Sequence, residues 1–145
     1  MINIICIGKI KEKYLLDLIL DYKNRISKYH KINIIELKDY EDITKETKEL
    51  LGYIDPKNYN IALTINGNKY SSLKFAKHID KTFINYGAIT FIIGGSNGLE
   101  QSIIDLCNEE ISFSDFTFPH GLFRGILLEQ IYRAFKINNN EKYHK

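Results

Sequence analysis

Short apolar runs separated by amphipathic segments limit the fold of this 145-residue sequence more than any other feature. Residues 2–7 and 88–93 are almost uninterrupted apolar runs, as expected of strands that are covered on both faces. Between such runs the apolar residues recur at helical spacing, for example from Glu12 to Tyr29. Strands that alternate with helices predict an α/β fold, in which a largely parallel sheet is flanked by helices. The length fits a single domain that covers residues 1–145.

The predicted elements follow from this periodicity and from turn and capping residues. Asp55-Pro56 breaks one helical segment, and Ser71 or Ser72 is predicted to cap the next helix. A turn is predicted at Asn66-Gly67-Asn68, directly after a strand. The predicted strands cover residues 2–7, 32–37, 60–65, 88–93 and 111–114. The predicted helices cover about residues 12–29, 42–54, 72–86, 99–109 and 121–136.

Composition and charge exclude several classes of protein. Hydrophobic residues make up 44% of the chain and charged residues 26%, so the protein is globular rather than disordered or fibrous. The net charge is only +2, but basic residues predominate in residues 9–31 and 120–145, which indicates either a polyanion partner or two solvated helix faces. Cys6 and Cys107 are expected to be buried, reduced thiols, and no Cys/His cluster suggests a metal. Without a visible signal peptide or a membrane-length apolar stretch, the expected compartment is the cytoplasm.

Ligands of parallel α/β folds bind beyond the carboxyl ends of the strands, and three predicted loops lie at that edge. One follows Leu63, and the others cover residues 94–98 and 113–118. The loop GGSNG at residues 94–98 either lets the backbone approach a ligand closely or forms a tight turn without one. Its spacing is not GxGxxG and it follows the fourth strand, so a nicotinamide-dependent oxidoreductase lacks support. No GKS or GKT follows, which excludes a P-loop.

The C-terminal third carries the most specific pattern. Residues 117–120 read TFPH, residues 128–136 read LEQIYRAFK, and the chain ends in YHK. With FIIGGSNGL at residues 91–99 and IGKIK at residues 7–11, the sequence closely resembles the SPOUT-class methyltransferases over nearly its whole length. Within that class it resembles the ribosomal RNA large subunit methyltransferase H family, the pseudouridine N3-methyltransferases.

This resemblance implies a minimal SPOUT domain, a parallel sheet between helices with a deep trefoil knot near the C-terminus. In this class the knotted loops bind S-adenosyl-L-methionine, more through backbone groups than through side chains. Transferred position by position, the implied cofactor contacts are Leu63, Gly94, Phe113, Ser114, Asp115, Phe116, Thr117 and Phe118. Plain core packing is the alternative interpretation of the three phenylalanines, and no metal is implied.

On the substrate side, the ring nitrogen that accepts the methyl group must lose its proton, and a nearby cation would stabilise the developing charge. The candidates are Arg124, His120, Tyr143, His144 and Arg133. Arg124 interrupts an apolar helix, where an unpaired charge is costly, so it is interpreted as functional, with a buried ion pair as the alternative. His120 fits a helix-start hydrogen-bonding residue equally well. Glu129 and Arg133 lie four residues apart and are predicted to pair, and no residue is identified as a general base.

The resemblance also implies a homodimer in which the C-terminal tail completes the neighbour's site. The implied target is a pseudouridine of 23S rRNA in the large subunit or whole ribosome, with no membrane involved. The alternative function is a catalytically silent RNA- or ribosome-binding module of the same fold. The chain departs from its relatives in a shorter region at residues 38–54, in Gly125 within the last helix, and in Asn138-Asn139-Asn140.

Overall fold

A computed structural model describes all residues from 1 to 145 and contains one sheet of five parallel strands. The strands lie in the order β2-β1-β4-β3-β5, and each neighbouring pair is parallel. Their bounds are β1 Ile2–Ile7, β2 Ile32–Leu37, β3 Tyr59–Lys69, β4 Ile89–Ile93 and β5 Glu109–Ser112. The predicted α/β fold with a parallel sheet is therefore confirmed.

Five helices cover the two faces of the sheet. Their bounds are α1 Lys13–Ser27, α2 Ile43–Leu51, α3 Ser72–Asn85, α4 Gln101–Leu106 and α5 His120–Asn138. Helices α1, α3 and α5 share the larger hydrophobic core with one face, and α5 packs against both of the others. Helices α2 and α4 pack on a smaller core with alternate strand residues such as Ile5, Ile7 and Ile92. The side-chain period of two along β1 and β4 divides their apolar residues between these two cores.

Most of the apolar side chains around the circumference of α5 are buried against other elements of the same chain. Leu127, Leu128 and Ile131 are buried in the larger core, where α5 contacts α1 and α3. A Cβ atom placed on Gly125 would lie 2.6 Å from Cδ2 of Leu18, so this glycine lets α1 approach α5 closely. Gly125 costs helix propensity but improves the packing between these two helices.

Two sequence predictions are wrong because contacts distant in sequence decide the structure. The predicted turn at Asn66-Gly67-Asn68 lies inside β3, which continues to Lys69 with a bulge between Leu63 and Asn68. A Cβ on Gly67 would lie 2.6 Å from the backbone nitrogen of Ile111, so only glycine fits this approach to β5.

The second error concerns α4, which ends at Leu106 instead of residue 109. Asn108 leaves the helix to pair with Asn60, whose backbone N–H donates to Oδ1 of Asn108 at 2.7 Å. The N–H of Asn108 in turn donates to the carbonyl of Asn60 at 2.7 Å. This pairing starts β5 at Glu109, two residues earlier than predicted. Of the two predicted caps for α3, Ser71 fulfils the role by accepting from the N–H of Lys74 at 3.1 Å.

Both cysteine thiols are free, with Cys6 buried and Cys107 half-buried. Burial raises the pKa of the Cys6 thiol to about 12 and that of Cys107 to about 11, so both are protonated at neutral pH. None of the helices combines the length and apolar character needed to cross a bilayer.

Candidate active site

A cavity of about 470 Å³ opens where β4 and β5 end, beside the bulge in the middle of β3. Its walls come mainly from three segments, the bulge after Leu63, the glycine loop after β4 and the loop that joins β5 to α5, and residues of α4 and α5 complete them. The last two are loops that the sequence places at the carboxyl edge of the sheet, whereas the predicted loop after Leu63 is a bulge within β3. The volume lies within the range of small-molecule sites, and neither lysine nor arginine lines it. A phosphate-rich ligand therefore has no cationic partner in this cavity.

Seven of the eight predicted cofactor residues lie together around this cavity: Leu63, Gly94, Phe113, Ser114, Phe116, Thr117 and Phe118. The eighth, Asp115, does not line it. Its side chain is largely exposed and forms an ion pair with Lys69 at the end of β3. Asp115 thus closes the loop onto β3 rather than facing the cavity.

The glycine loop is closed on itself by backbone contacts. A Cβ on Gly94 would lie 2.6 Å from the carbonyl oxygen of Gly98, and one on Gly95 would lie 2.8 Å from Cγ2 of Ile7. Gly98 has a φ of +70°, which favours glycine. Because side chains are absent at these positions, the backbone itself forms this wall of the cavity.

The three phenylalanines of the β5–α5 loop have different surroundings. Phe113 packs edge-on against Phe75 and Phe123, with ring centroids 6.0 and 5.2 Å apart. Phe118 stacks on Phe123 at 6.1 Å. Phe116 is 80% exposed at the cavity and has no such packing. Phe113 and Phe118 therefore pack against other aromatic rings, as the alternative interpretation proposed, and also line the cavity. Phe116 lines the cavity without such packing.

A second cavity of about 400 Å³ adjoins the first and lies beyond the end of β1. Gly95 and His120 line both cavities, so a ligand in one would lie next to a ligand in the other. Lys9, Asp39 and Arg124 contribute to the second cavity. His120 is the first residue of α5, so the start of this helix separates the two spaces.

Arg124 lies at the second cavity, but its guanidinium is already bound by protein groups. The side chain is 4% exposed, and Nη1 donates to Oε2 of Glu36 at 2.7 Å. Nη2 donates to the carbonyls of Ile7 and Gly8 at 3.1 and 2.7 Å. The buried ion pair that the sequence left as an alternative is therefore present, and it joins α5 to β1 and β2. A contact of Arg124 with substrate stays a prediction.

The C-terminal tail packs on α5 and lines neither of these cavities in its own chain. The guanidinium of Arg133 lies over the ring of Tyr143, and Nδ1 of His144 lies 3.1 Å from Nη1 of Arg133. Burial, with smaller effects of Tyr22 and Glu129, raises the pKa of Tyr143 to about 12. The predicted pair of Glu129 and Arg133 is confirmed, with Nε donating to Oε1 at 2.9 Å.

Two carboxyl groups near the second cavity were not predicted as site residues. Asp39 lines this cavity, and Glu46 on α2 is only 1% exposed behind the β2–α2 loop. Asp39 follows β2 by two residues, which is the position where parallel folds place ligand-binding groups. This position in the sequence could have identified Asp39 as a candidate site residue. No group of three or more His, Cys, Asp or Glu residues is arranged to hold a metal ion.

A parallel α/β sheet with a loop-lined cavity at its carboxyl edge is an architecture that binds ligands at that edge. Residues 1–144 match the family described as "Predicted SPOUT methyltransferase", and the chain belongs to this family. A "Ribosomal RNA large subunit methyltransferase H" of Fusobacterium nucleatum is 48% identical over 153 residues, with 99% of both chains covered.

A protein of the same name from Clostridium perfringens is 44% identical over 157 residues, and a "Putative ribosomal RNA large subunit methyltransferase H" from Methanococcus maripaludis is 45% identical over 157 residues. Both alignments again cover 99% of each chain. Within the SPOUT class, the chain therefore belongs with the ribosomal RNA large subunit methyltransferase H proteins.

Proposed function

We propose that this protein uses S-adenosyl-L-methionine to methylate N3 of a pseudouridine in the 23S rRNA of the large ribosomal subunit. The observation that carries the proposal is the pair of adjoining cavities separated by Gly95 and His120. A methyl transferase needs two such neighbouring spaces, because the donor and the acceptor atom must be held in contact and in line. The relatives' names supply the ribosomal RNA as target.

The lining of the first cavity supports the binding of S-adenosyl-L-methionine there. Apolar side chains such as Leu63 and Ile111 offer surfaces for the adenine ring, and the loop backbones offer hydrogen-bond partners. The cofactor supplies a methyl group already activated on a positively charged sulfur. Glu110 is the one carboxylate that lines this cavity, where it accepts a hydrogen bond from Oγ1 of Thr64 at 2.9 Å. Its negative charge complements a cationic ligand that carries no phosphate.

The second cavity then holds the acceptor ring beside His120. His120 offers a ring nitrogen at the boundary of the two spaces, and Lys9 adds a positive charge at the same cavity. A cation near the ring oxygens stabilises the negative charge that develops when the ring nitrogen loses its proton. Arg124 contributes by fixing the backbone of Ile7 and Gly8 at the cavity.

A homodimer belongs to the same proposal, because Tyr143 and His144 lie away from both cavities of their own chain. A second copy would bring these residues to the site as its tail. Exposed apolar side chains on α1 and at the start of α5, namely Tyr14, Leu16, Leu20 and Leu122, offer a surface for it. A trefoil knot is also part of the proposal, since α5 packs against both α1 and α3 immediately after the 113–119 segment.

Methyl transfer from labelled S-adenosyl-L-methionine to ribosomes tests this function. The ribosomes come from cells that lack this protein, with and without the target pseudouridine, both as whole ribosomes and as separated large subunits. We expect label on N3 of that pseudouridine, and loss of transfer when the chain is truncated before Tyr143. A folded protein that binds no S-adenosyl-L-methionine would instead favour a catalytically silent ribosome-binding module. Cofactor binding without transfer to either substrate would show that the proposed target is wrong.

A further inference from the structure

The proton that leaves the acceptor ring needs a destination in the second cavity, and the side chain of Asp39 lies there. Its Oδ2 atom lies 3.8 Å from the position that a Cβ would take on Gly8, and Oδ1 lies 3.7 Å from that position on Gly95. The carboxylate therefore lies between the end of β1 and the glycine loop after β4. Gly95 is also the wall that the two cavities share.

Glu46 fixes the loop that carries Asp39. Its Oε2 atom accepts the backbone N–H of Tyr40 at 2.9 Å, while Oε1 is buried and has no partner. Burial raises the pKa of Glu46, and the neighbouring Asp39 raises it further, against the opposing effect of the Tyr40 hydrogen bond. A proton on the unpartnered oxygen would turn it into a donor towards Asp39, which would orient the Asp39 carboxylate.

We propose that Asp39 is the proton acceptor of the methyl transfer, with Glu46 as the residue that positions it. The proposal rests on the function proposed above. The N–H bond of the acceptor ring breaks and its proton passes to an oxygen of Asp39. The ring nitrogen forms its new bond to the methyl carbon as the carbon–sulfur bond breaks, and that electron pair stays on sulfur. An ionised carboxylate only accepts hydrogen bonds, so it matches a ring N–H and not the ring carbonyls beside it.

The other titratable and charged groups around the cavity differ from Asp39 in their position or their partners. Lys9 lies on the β1–α1 loop, and Arg124 on α5 is paired with Glu36 of β2. Glu12 lines the cavity from the start of α1, while His120 lies at the boundary with the first cavity. Asp39 is the carboxylate placed against Gly95, the residue that both spaces share.

The test compares Asp39→Asn with Glu41→Gln. Glu41 lies on the same loop and is exposed, does not line the cavity, and its substitution removes the same charge. With saturating cofactor and ribosomes at pH 7, we expect Asp39→Asn to lower kcat by about 100-fold or more, the usual contribution of a general base. Glu41→Gln should keep the wild-type kcat. Both variants should bind S-adenosyl-L-methionine with the wild-type affinity.

The pH profile of kcat separates proton transfer from a structural effect. In the wild-type protein the carboxylate of Asp39 takes the ring proton without needing hydroxide, so the rate should change little between pH 7 and pH 9. In Asp39→Asn hydroxide must remove the ring proton, so the rate should rise about tenfold for each pH unit. An equal loss at every pH, or a wild-type rate in Asp39→Asn, would overturn the role of Asp39 while leaving the proposed function intact. Absence of transfer by the wild-type protein would overturn both.

Discussion

Arg124 shows how one buried charge can hold three elements together. Its guanidinium is almost fully removed from solvent, yet it has hydrogen-bond partners. Nη1 donates to Glu36 of β2, and Nη2 donates to the carbonyls of Ile7 and Gly8 at the end of β1. A buried charge in this state contributes little net stability compared with an apolar residue, but removing one partner is costly because the other groups lose their donors. Here those groups are Glu36 and the carbonyls of Ile7 and Gly8.

We therefore expect Arg124→Leu to lower the free energy of unfolding by about 3 kcal/mol. This loss lies at the lower end of the range for a broken buried ion pair, because Glu36 is partly exposed. Arg25→Leu is the matched control, since Arg25 forms a more exposed pair with Asp21 on α1, and its loss of stability should be clearly smaller. Urea unfolding followed by circular dichroism measures both. Equal losses in the two variants would show that burial adds nothing to the Arg124 pair.

The end of β4 requires glycine for a steric reason, which secondary-structure propensity does not describe. Gly94 lies where the strand gives way to the loop, and a methyl group there would meet the backbone of Gly98 at 2.6 Å. Backbone atoms cannot rotate away as the end of a side chain can, so the loop must open to admit the methyl group. Because this loop forms one wall of the first cavity, a change in its shape also changes the site.

Gly94→Ala should lower stability by about 1–3 kcal/mol, the range for overpacked positions, and weaken cofactor binding at least tenfold. Gly87→Ala is the control, because a Cβ on Gly87 meets nothing within 4 Å. That variant should be neutral or slightly more stable, since alanine restricts the unfolded chain. Calorimetric titration with S-adenosyl-L-methionine together with urea unfolding gives both quantities. Wild-type affinity in Gly94→Ala would show that the loop backbone does not contact the cofactor.

Whether the sequence predicts an element depends on whether neighbouring or distant residues in the chain determine it. Strands β1 and β4 could be predicted because residues covered on both faces leave a continuous apolar run. The bulge in β3 could not, because it depends on the approach of Gly67 to Ile111 across the sheet. The same holds for the end of α4, which is set by Asn108 pairing with a residue of β3.

The candidate site divides in the same way. The loops after β4 and β5 could be predicted as walls of the first cavity, because parallel strands bring their carboxyl ends to one edge. Glu46 belongs to a segment rich in charged residues, and such segments are usually solvated surface. Its burial arises from the fold of the β2–α2 loop over it, where it accepts the N–H of Tyr40. No local pattern in the sequence indicates that contact.

Stability of the whole protein is linked to pH through a polar cluster at the β3–β5 side of the sheet. The carboxylate of Glu109 on β5 accepts hydrogen bonds from Tyr59 at 3.1 Å and Tyr70 at 2.8 Å, and it pairs with His78 on α3. Burial alone would raise the pKa of Glu109, but hydrogen bonds from His78, Tyr70 and Tyr59 lower it overall. The cluster thus joins three parts of the fold through one ionised group.

A carboxyl group whose pKa is lower in the folded than in the unfolded state stabilises the fold above the unfolded pKa. That contribution disappears as the pH falls through the folded value. Glu109→Gln should therefore be less stable than the wild-type protein at pH 7. The difference should shrink as the pH falls below about 4.3, the ordinary pKa of glutamate. Urea unfolding at intervals from pH 7 to pH 3 measures it.

The control for this linkage is Asp80→Asn, which removes one negative charge from an exposed position on α3, the helix that carries His78. Its difference from the wild-type protein should be small at every pH, because exposed charges are well screened. A difference for Glu109→Gln that stays constant down to pH 3 would mean that shape and hydrogen-bond geometry, and not ionisation of Glu109, account for its effect. A difference that shrinks on acidification only in Glu109→Gln would show that the ionised carboxylate itself stabilises this side of the sheet, from which β5 leads into the loop that lines the first cavity.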